Sequence, residues 1–98
     1  MAVDRGLLAI LEAQPGKGPE LEAFLKQGQA LAAQEEGTVT WYAFRIGETT
    51  YGIFDTFQNE HGREAHLNGQ IPAALAAVGP ALLAGDPDIR TIDIFAVK

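Results

Sequence analysis

The run Thr38–Ile46 (TVTWYAFRI) carries apolar side chains on both of its faces, and this narrows the folds open to the chain more than any other feature. In an extended strand alternate residues point to opposite sides. Val39, Trp41 and Ala43 therefore share one face, and Tyr42, Phe44 and Ile46 the other. Such a strand has to be covered from both sides. One layer of helices covers a single side, so the other is expected to meet a second sheet. A short loop beginning Gly47-Glu48-Thr49 joins this run to Thr50–Phe57 (TYGIFDTF), equally rich in aromatic and β-branched residues, and the pair reads as a hairpin.

The flanking segments alternate. Arg5–Ala13 (RGLLAILEA) is a strand-length apolar run closed by Gln-Pro-Gly-Lys-Gly. Pro19 suits the first turn of a helix, and Leu21, Phe24, Leu25, Gly28, Leu31 and Ala32 then recur at helical spacing, with Gly37 as the expected C-cap. After the hairpin, Asn59 caps a short helix to Leu67, which Asn68-Gly69 breaks. A third helix begins near Pro72, and Pro80 is expected to end or kink it near Val78. Ile89–Val97 (IRTIDIFAV) is the last strand. The order β-α-β-β-α-α-β in 98 residues predicts one α+β domain of ferredoxin-like architecture, an antiparallel sheet with helices on one face. The surplus apolar face predicts a two-fold homodimer packed sheet against sheet.

Several function classes fall away. There is no cysteine and no serine, which removes thiolate and serine nucleophiles, zinc–thiolate sites and iron–sulfur clusters. The net charge is −6 and the seven basic residues are scattered, a poor footprint for nucleic acid. No apolar stretch reaches the roughly 20 residues that span a bilayer. The N-terminal residues lack a signal-peptide pattern, so a cytoplasmic location is expected, with no membrane partner. Gly16-Lys17-Gly18 lacks the spacing of a phosphate-binding loop. His61 and His66 are five apart on one helix, about 140° around its axis, and are badly placed to share a metal.

The pattern Glu36-Gly37-Thr38-x-x-Trp41, then Tyr51-Gly-Ile-Phe54-Asp55-Thr-Phe57-Gln-Asn59, then Ala65-His66, resembles the antibiotic biosynthesis monooxygenase family of dimeric α/β barrels. The resemblance spans nearly the whole chain. It implies a dimeric barrel and a group that includes cofactor-independent oxygenases of phenolic substrates and haem-degrading enzymes. The chain departs from the family where Asp55 replaces a common glutamate and Ile71 stands where a second histidine is often found. The asparagine of haem-degrading relatives is missing from Arg5–Ala13, which turns the expectation away from haem.

Five residues are candidates for a site. On the helix from Asn59, Gly62, Ala65, His66 and Gly69 share a face, and an inward imidazole suits proton transfer. The same histidine could instead be a structural partner of Asp55 or a carbonyl. Asp55 shares a strand face with Tyr51, Ile53 and Phe57; it either pairs with His66 or lies wet at the sheet rim. Trp41 and Arg45 lie on one face of their strand and could hold a planar phenolate or a carboxylate, or serve as core and surface residues. Tyr51 offers a polar handle in a pocket or simply packs. His61, on the flank of the helix, is expected to be solvated. With His66 and Asp55 as the acid–base pair and Trp41, Arg45 and Tyr51 around the substrate, the expected activity is a monooxygenase of a small phenol- or quinone-type molecule, without metal or flavin. Two alternatives use the same cavity: a non-catalytic small-molecule-binding or stress-response dimer, and an isomerase or cyclase with His66 as acid–base.

Overall fold

A computed structural model describes residues 3–98. Strand β1 (Arg5–Glu12) leads through the Gly16 turn into helix α1 (Gly18–Ala33). The hairpin β2 (Thr38–Ile46) and β3 (Thr50–Phe57) follows, then α2 (Glu60–Leu67), α3 (Gln70–Leu82) and β4 (Asp88–Asp93). The four strands form one antiparallel sheet in the order β2-β3-β1-β4. This is the ferredoxin-like arrangement, with β1 and β3 in the centre.

One face of the sheet packs on the helices. Leu7, Ala9 and Leu11 of β1 lie beside Asp55, Ile53 and Tyr51 of β3. Leu21 and Leu25 of α1 and Leu75 and Leu82 of α3 close over them to make the core. On the opposite face Leu8, Ile10, Phe44, Phe54, Ile92 and Ile94 are half-buried and Tyr42 and Ile46 are exposed. The two-faced hydrophobicity of β2 thus has a helical layer on one side and an apolar surface on the other.

Three element ends differ from the sequence reading. Helix α1 stops at Ala33 with Gln34 as its cap, so Gly37 is not the C-cap. Gly37 serves another purpose: a Cβ built there would stand 2.6 Å from Gly62 Cα, and one built on Gly62 would stand 2.8 Å from the Gly37 carbonyl oxygen. Backbone touches backbone where α2 crosses the α1–β2 turn. Helix α3 continues through Pro80 to Leu82. Gly79 has no Cβ to clash with the proline ring, and the Gln14 amide donates to the carbonyls of Pro80 (2.9 Å) and Leu83 (3.1 Å). Finally, β4 ends at Asp93 rather than Val97, because Asp93 lies opposite Arg5, where β1 begins. Beyond it Ile94 still donates to the Asp4 carbonyl, and then the chain has outrun its partner strand.

Helix α2 is pinned through its first turn. The Asn59 side chain accepts from the Gly62 N–H at 2.9 Å, and Arg63 bonds Glu60 at 2.6 Å and the Gly6 carbonyl at 3.4 Å. Its buried face is Gly62, Arg63 and His66; Ala65, expected inside, is exposed, because the long Arg63 side chain reaches down to β1 instead. Gly37→Ala and Gly62→Ala should each destabilise the fold by about 1–3 kcal/mol, since neither backbone can yield without the other. The double variant should cost less than the sum of the two, as one displacement relieves both clashes. Gly85→Ala, whose Cβ would meet nothing within 4 Å, is the control, and urea unfolding reads all four.

Candidate functional site

Asp55 occupies the middle of β3, flanked on the helix-facing side by Leu7 of β1 and Trp41 of β2. It is 1% exposed, so the wet-rim alternative is replaced by full burial. His66 reaches it from α2. The imidazole Nε2 stands 3.0 Å from Asp55 Oδ2, and His66 itself is 6% exposed. The contact lacks hydrogen-bond geometry, and Oδ2 has no hydrogen-bond partner among the described residues. The Phe57 ring, 5.3 Å from the imidazole centroid and tilted by 47°, packs against its side.

The other imidazole nitrogen meets a second carboxylate. Nδ1 lies 2.7 Å from Glu35 Oε1, and the same oxygen accepts from the Thr38 hydroxyl at 2.8 Å. Glu35 sits in the α1–β2 turn, and the contact between Gly37 and Gly62 is what lets that turn approach α2. The site is therefore a row of three groups, Asp55–His66–Glu35, whose side chains grow more exposed outward: 2%, 7% and 22%.

Cavities lie on both sides of this row. On the inner side His66 and Asp55 border a cavity of about 40 Å³ walled by Leu7, Ala9, Ile53, Ile71 and Leu75. Pro72, Leu75 and Ile89 separate it from an apolar groove of about 490 Å³ between α3 and the β4 edge. On the outer side His66 and Glu35 border a cleft of about 350 Å³ with Glu36, Asn59 and His61. Trp41, Arg45 and Tyr51 lie elsewhere. The Trp41 ring packs over Gly28 of α1 and borders a groove with Gln29 and Thr38. Arg45 and the buried Tyr51 border a hollow of about 180 Å³ with Glu22 and Lys26. The structure thus joins Asp55 and His66 and keeps the three aromatic and cationic candidates apart from them. His61 is exposed at the outer cleft.

Glu35 was not among the residues expected from sequence. The signal for it was the acidic-glycine turn itself, but the acid that fits the family pattern is Glu36, which is exposed. Only the close approach of Gly37 shows that the preceding glutamate is the one turned inward.

Burial pushes the Asp55 carboxyl up from its ordinary 3.8 to about 6; the His66 imidazole pulls it down, and Glu35 pushes it up further. Among the described residues no group of three acidic or histidine side chains is placed to hold a metal ion, and no helix is long and apolar enough to cross a membrane.

A ferredoxin-like domain with a buried carboxylate–imidazole–carboxylate row defines the class. No family model and no curated protein matches the chain. Among solved structures, protein NE2512 of unknown function from Nitrosomonas europaea is 44% identical over 98% of this chain and 93% of its own, with a TM-score of 0.96. The chain belongs to the same family as that protein. A "putative antibiotic biosynthesis monooxygenase" from Caulobacter crescentus is 28% identical over 96% of this chain and 92% of its own, with a TM-score of 0.80. PA3566 from Pseudomonas aeruginosa, 20% identical over 98% of both chains with a TM-score of 0.83, has the same fold.

The raised Asp55 value has a definite consequence for stability. Between pH 3.8 and about 6 the folded chain holds a proton on Asp55 that the unfolded chain has lost. Stability therefore falls as pH rises through that window and stays lower above it, by up to about 3 kcal/mol from this group alone. Asp55→Asn mimics the protonated acid. Its stability should match wild type near pH 4 and exceed it increasingly up to about pH 6.5, with a constant gap beyond. Urea midpoints across that range test this; a gap independent of pH would refute it.

Proposed function

We propose that the protein is a small oxygenase that uses its Asp55–His66 pair as the acid–base unit for an apolar, phenol- or quinone-type substrate, without metal or flavin. One observation carries the reading: a buried carboxylate with a free acceptor oxygen, touching an imidazole, at the end of an apolar cavity. The relatedness in fold to proteins named as antibiotic biosynthesis monooxygenases supports it.

The cavity sizes favour one position for such a substrate. A space of about 40 Å³ takes a water molecule or a single substituent, not a ring. The groove of about 490 Å³ falls within the range of small-molecule sites. On this reading the ring lies in the groove against Pro72, Leu75 and Ile89, and these side chains part for its hydroxyl to reach Asp55. Trp41, Arg45 and Tyr51, which border other hollows, have no contact with a substrate held there.

The base limits the substrate. Proton transfer is most effective when acid and base are matched. An ordinary phenol titrates near 10, about four units above Asp55, and ionising it would cost about 5 kcal/mol. A phenol acidified by a conjugated carbonyl is a far better match. Its phenolate passes one electron to O₂, and the phenoxyl radical and superoxide join through a new C–O bond. The acid–base pair returns the proton to the distal oxygen. Loss of the C–H proton then breaks the O–O bond, giving a quinone and water. Phenol plus O₂ yields quinone plus water, so atoms and electrons balance.

A two-fold homodimer through the exposed sheet face is part of the proposal, because Tyr42, Phe44, Ile46 and Phe54 form an apolar surface there. Sedimentation should give twice the 10.5 kDa chain mass, and a monomer at micromolar concentration would overturn the dimer. For the activity, O₂ uptake with carbonyl-activated phenols should fall at least about a hundredfold in Asp55→Asn and His66→Ala, the usual weight of a general base. Equal uptake in wild type and both variants would remove the pair from the reaction. Product formed at the same rate under anaerobic conditions would favour an isomerase or cyclase using the same pair. Thermal stabilisation by the phenol without turnover would favour a binding protein.

A further inference from the structure

We infer that protons enter the site at Asp55 and leave it through Glu35, the His66 imidazole carrying them across the wall between the apolar cavity and the outer cleft. The inference rests on the acid–base reading above and adds a residue and a route to it.

The geometry supplies each step. Asp55 borders the inner cavity, and its Oδ2, unpartnered among the described residues, stands 3.0 Å from Nε2. Nδ1 stands 2.7 Å from Glu35 Oε1, within ordinary hydrogen-bond length. Glu35 borders the outer cleft and His66 borders both spaces. No apolar residue interrupts the row. The groups that face it are Asp55 from β3, Glu35 from the α1–β2 turn, and Glu36 and His61 across the cleft. The Thr38 hydroxyl holds Glu35 Oε1 in place, leaving Oε2 beside the space at Gly69.

The steps balance. The substrate O–H breaks and its proton binds Asp55. A small turn of the ring brings Nε2 into line with Oδ2; Asp55 then passes a proton to the Nε2 lone pair, Nδ1–H passes its own to Glu35, and Glu35 gives it to water. The imidazole ends as the other tautomer. When the peroxide oxygen later takes a proton from Asp55, the row runs in reverse and the original tautomer returns. A solvent-side terminus thus lets the buried pair change protonation while the apolar cavity stays dry, which a base reached only through the substrate groove could not do.

Glu35 is a positioning and relay residue, so its test needs a readout that mere structural support would leave alone. That readout is the exchange of the His66 ring proton with water, followed by NMR on the folded protein without substrate. Glu35→Gln keeps the shape and a hydrogen-bonding oxygen but relays no proton. It should slow this exchange at least about tenfold, and Glu35→Asp should restore much of it. His61→Gln, in the same cleft but outside the row, should leave the rate unchanged. Should Glu35→Gln fail to fold, Thr38→Val, which frees the Glu35 carboxylate, should slow exchange by a smaller factor. Unchanged exchange in folded Glu35→Gln, or in Thr38→Val if that is the variant in hand, would overturn the relay. Because no substrate is present, that result is separate from the O₂-uptake assay: slow exchange with no oxidation would retain the relay and reject the oxygenase.

Discussion

The contact between Gly37 and Gly62 is the constraint on which the site depends. Two backbones meet there with no room for a Cβ on either. That closeness brings the α1–β2 turn against α2, and with it Glu35 against the face of His66 turned away from the sheet. The Gly37 carbonyl also accepts from the Gln58 N–H at 3.0 Å, tying the turn to the end of β3. Gly37 thereby joins three segments: the end of α1, the end of β3 and the start of α2. Larger residues at either glycine would hold the helix off, and the imidazole would lose its outer carboxylate before anything else in the fold gave way.

Placing a carboxylate in the centre of a sheet is costly. Asp55 has Leu7 and Trp41 as cross-strand neighbours, and its contact with the imidazole lacks hydrogen-bond geometry. An unpartnered buried acceptor costs on the order of 1–3 kcal/mol, and raising its titration to about 6 is the electrostatic expression of that cost. A core residue chosen only for stability would be apolar or fully bonded here. Asp55 is neither, and strongly perturbed carboxyls at the end of a cavity concentrate at functional sites. The oxygen that lacks a hydrogen bond is also the one closest to the imidazole, so the same atom is strained as a structural element and ready as a proton acceptor.

Much of this was legible in the sequence because it depends on periodicity. The α1 stripe from Leu21 to Ala32, the two hairpin strands and the Asn59 cap follow from spacing that nothing nearby contradicts. The pairing of His66 with Asp55 was suggested by faces: an inward helix position above an inward strand position. What was not legible depends on tertiary contact. Pro80 ends a helix by local rules, yet Gly79 before it and the Gln14 amide beyond it let α3 run on to Leu82. Ile94–Val97 alternates like a strand, but β1 begins at Arg5 opposite Asp93, and among the described residues the pairing goes no further than the bond from Ile94 to the Asp4 carbonyl. Glu35 lies 31 positions from His66 in a turn, where side-chain direction follows no period. Trp41, Arg45 and Tyr51 share a sheet face with Asp55, but α1 lies across that face and divides it into separate hollows.

That division separates what a dimer would do from what the site needs. Tyr42 and Ile46, which are exposed, and Phe44 and Phe54, which are half-buried, lie on the opposite side of the sheet from Asp55. Asp55 and His66 are already buried within one chain, and Glu35 comes from that same chain. A second copy packed on the open face would therefore add to the stability of a small core without completing the row of proton-carrying groups. It would also seal the far side of β3 from water, so that changes of protonation at Asp55 pass only through the two spaces that His66 borders. On this reading dimerisation and proton transfer are set by opposite faces of the same strands. Substitutions at Phe54 and Asp55, adjacent in sequence, should affect different properties.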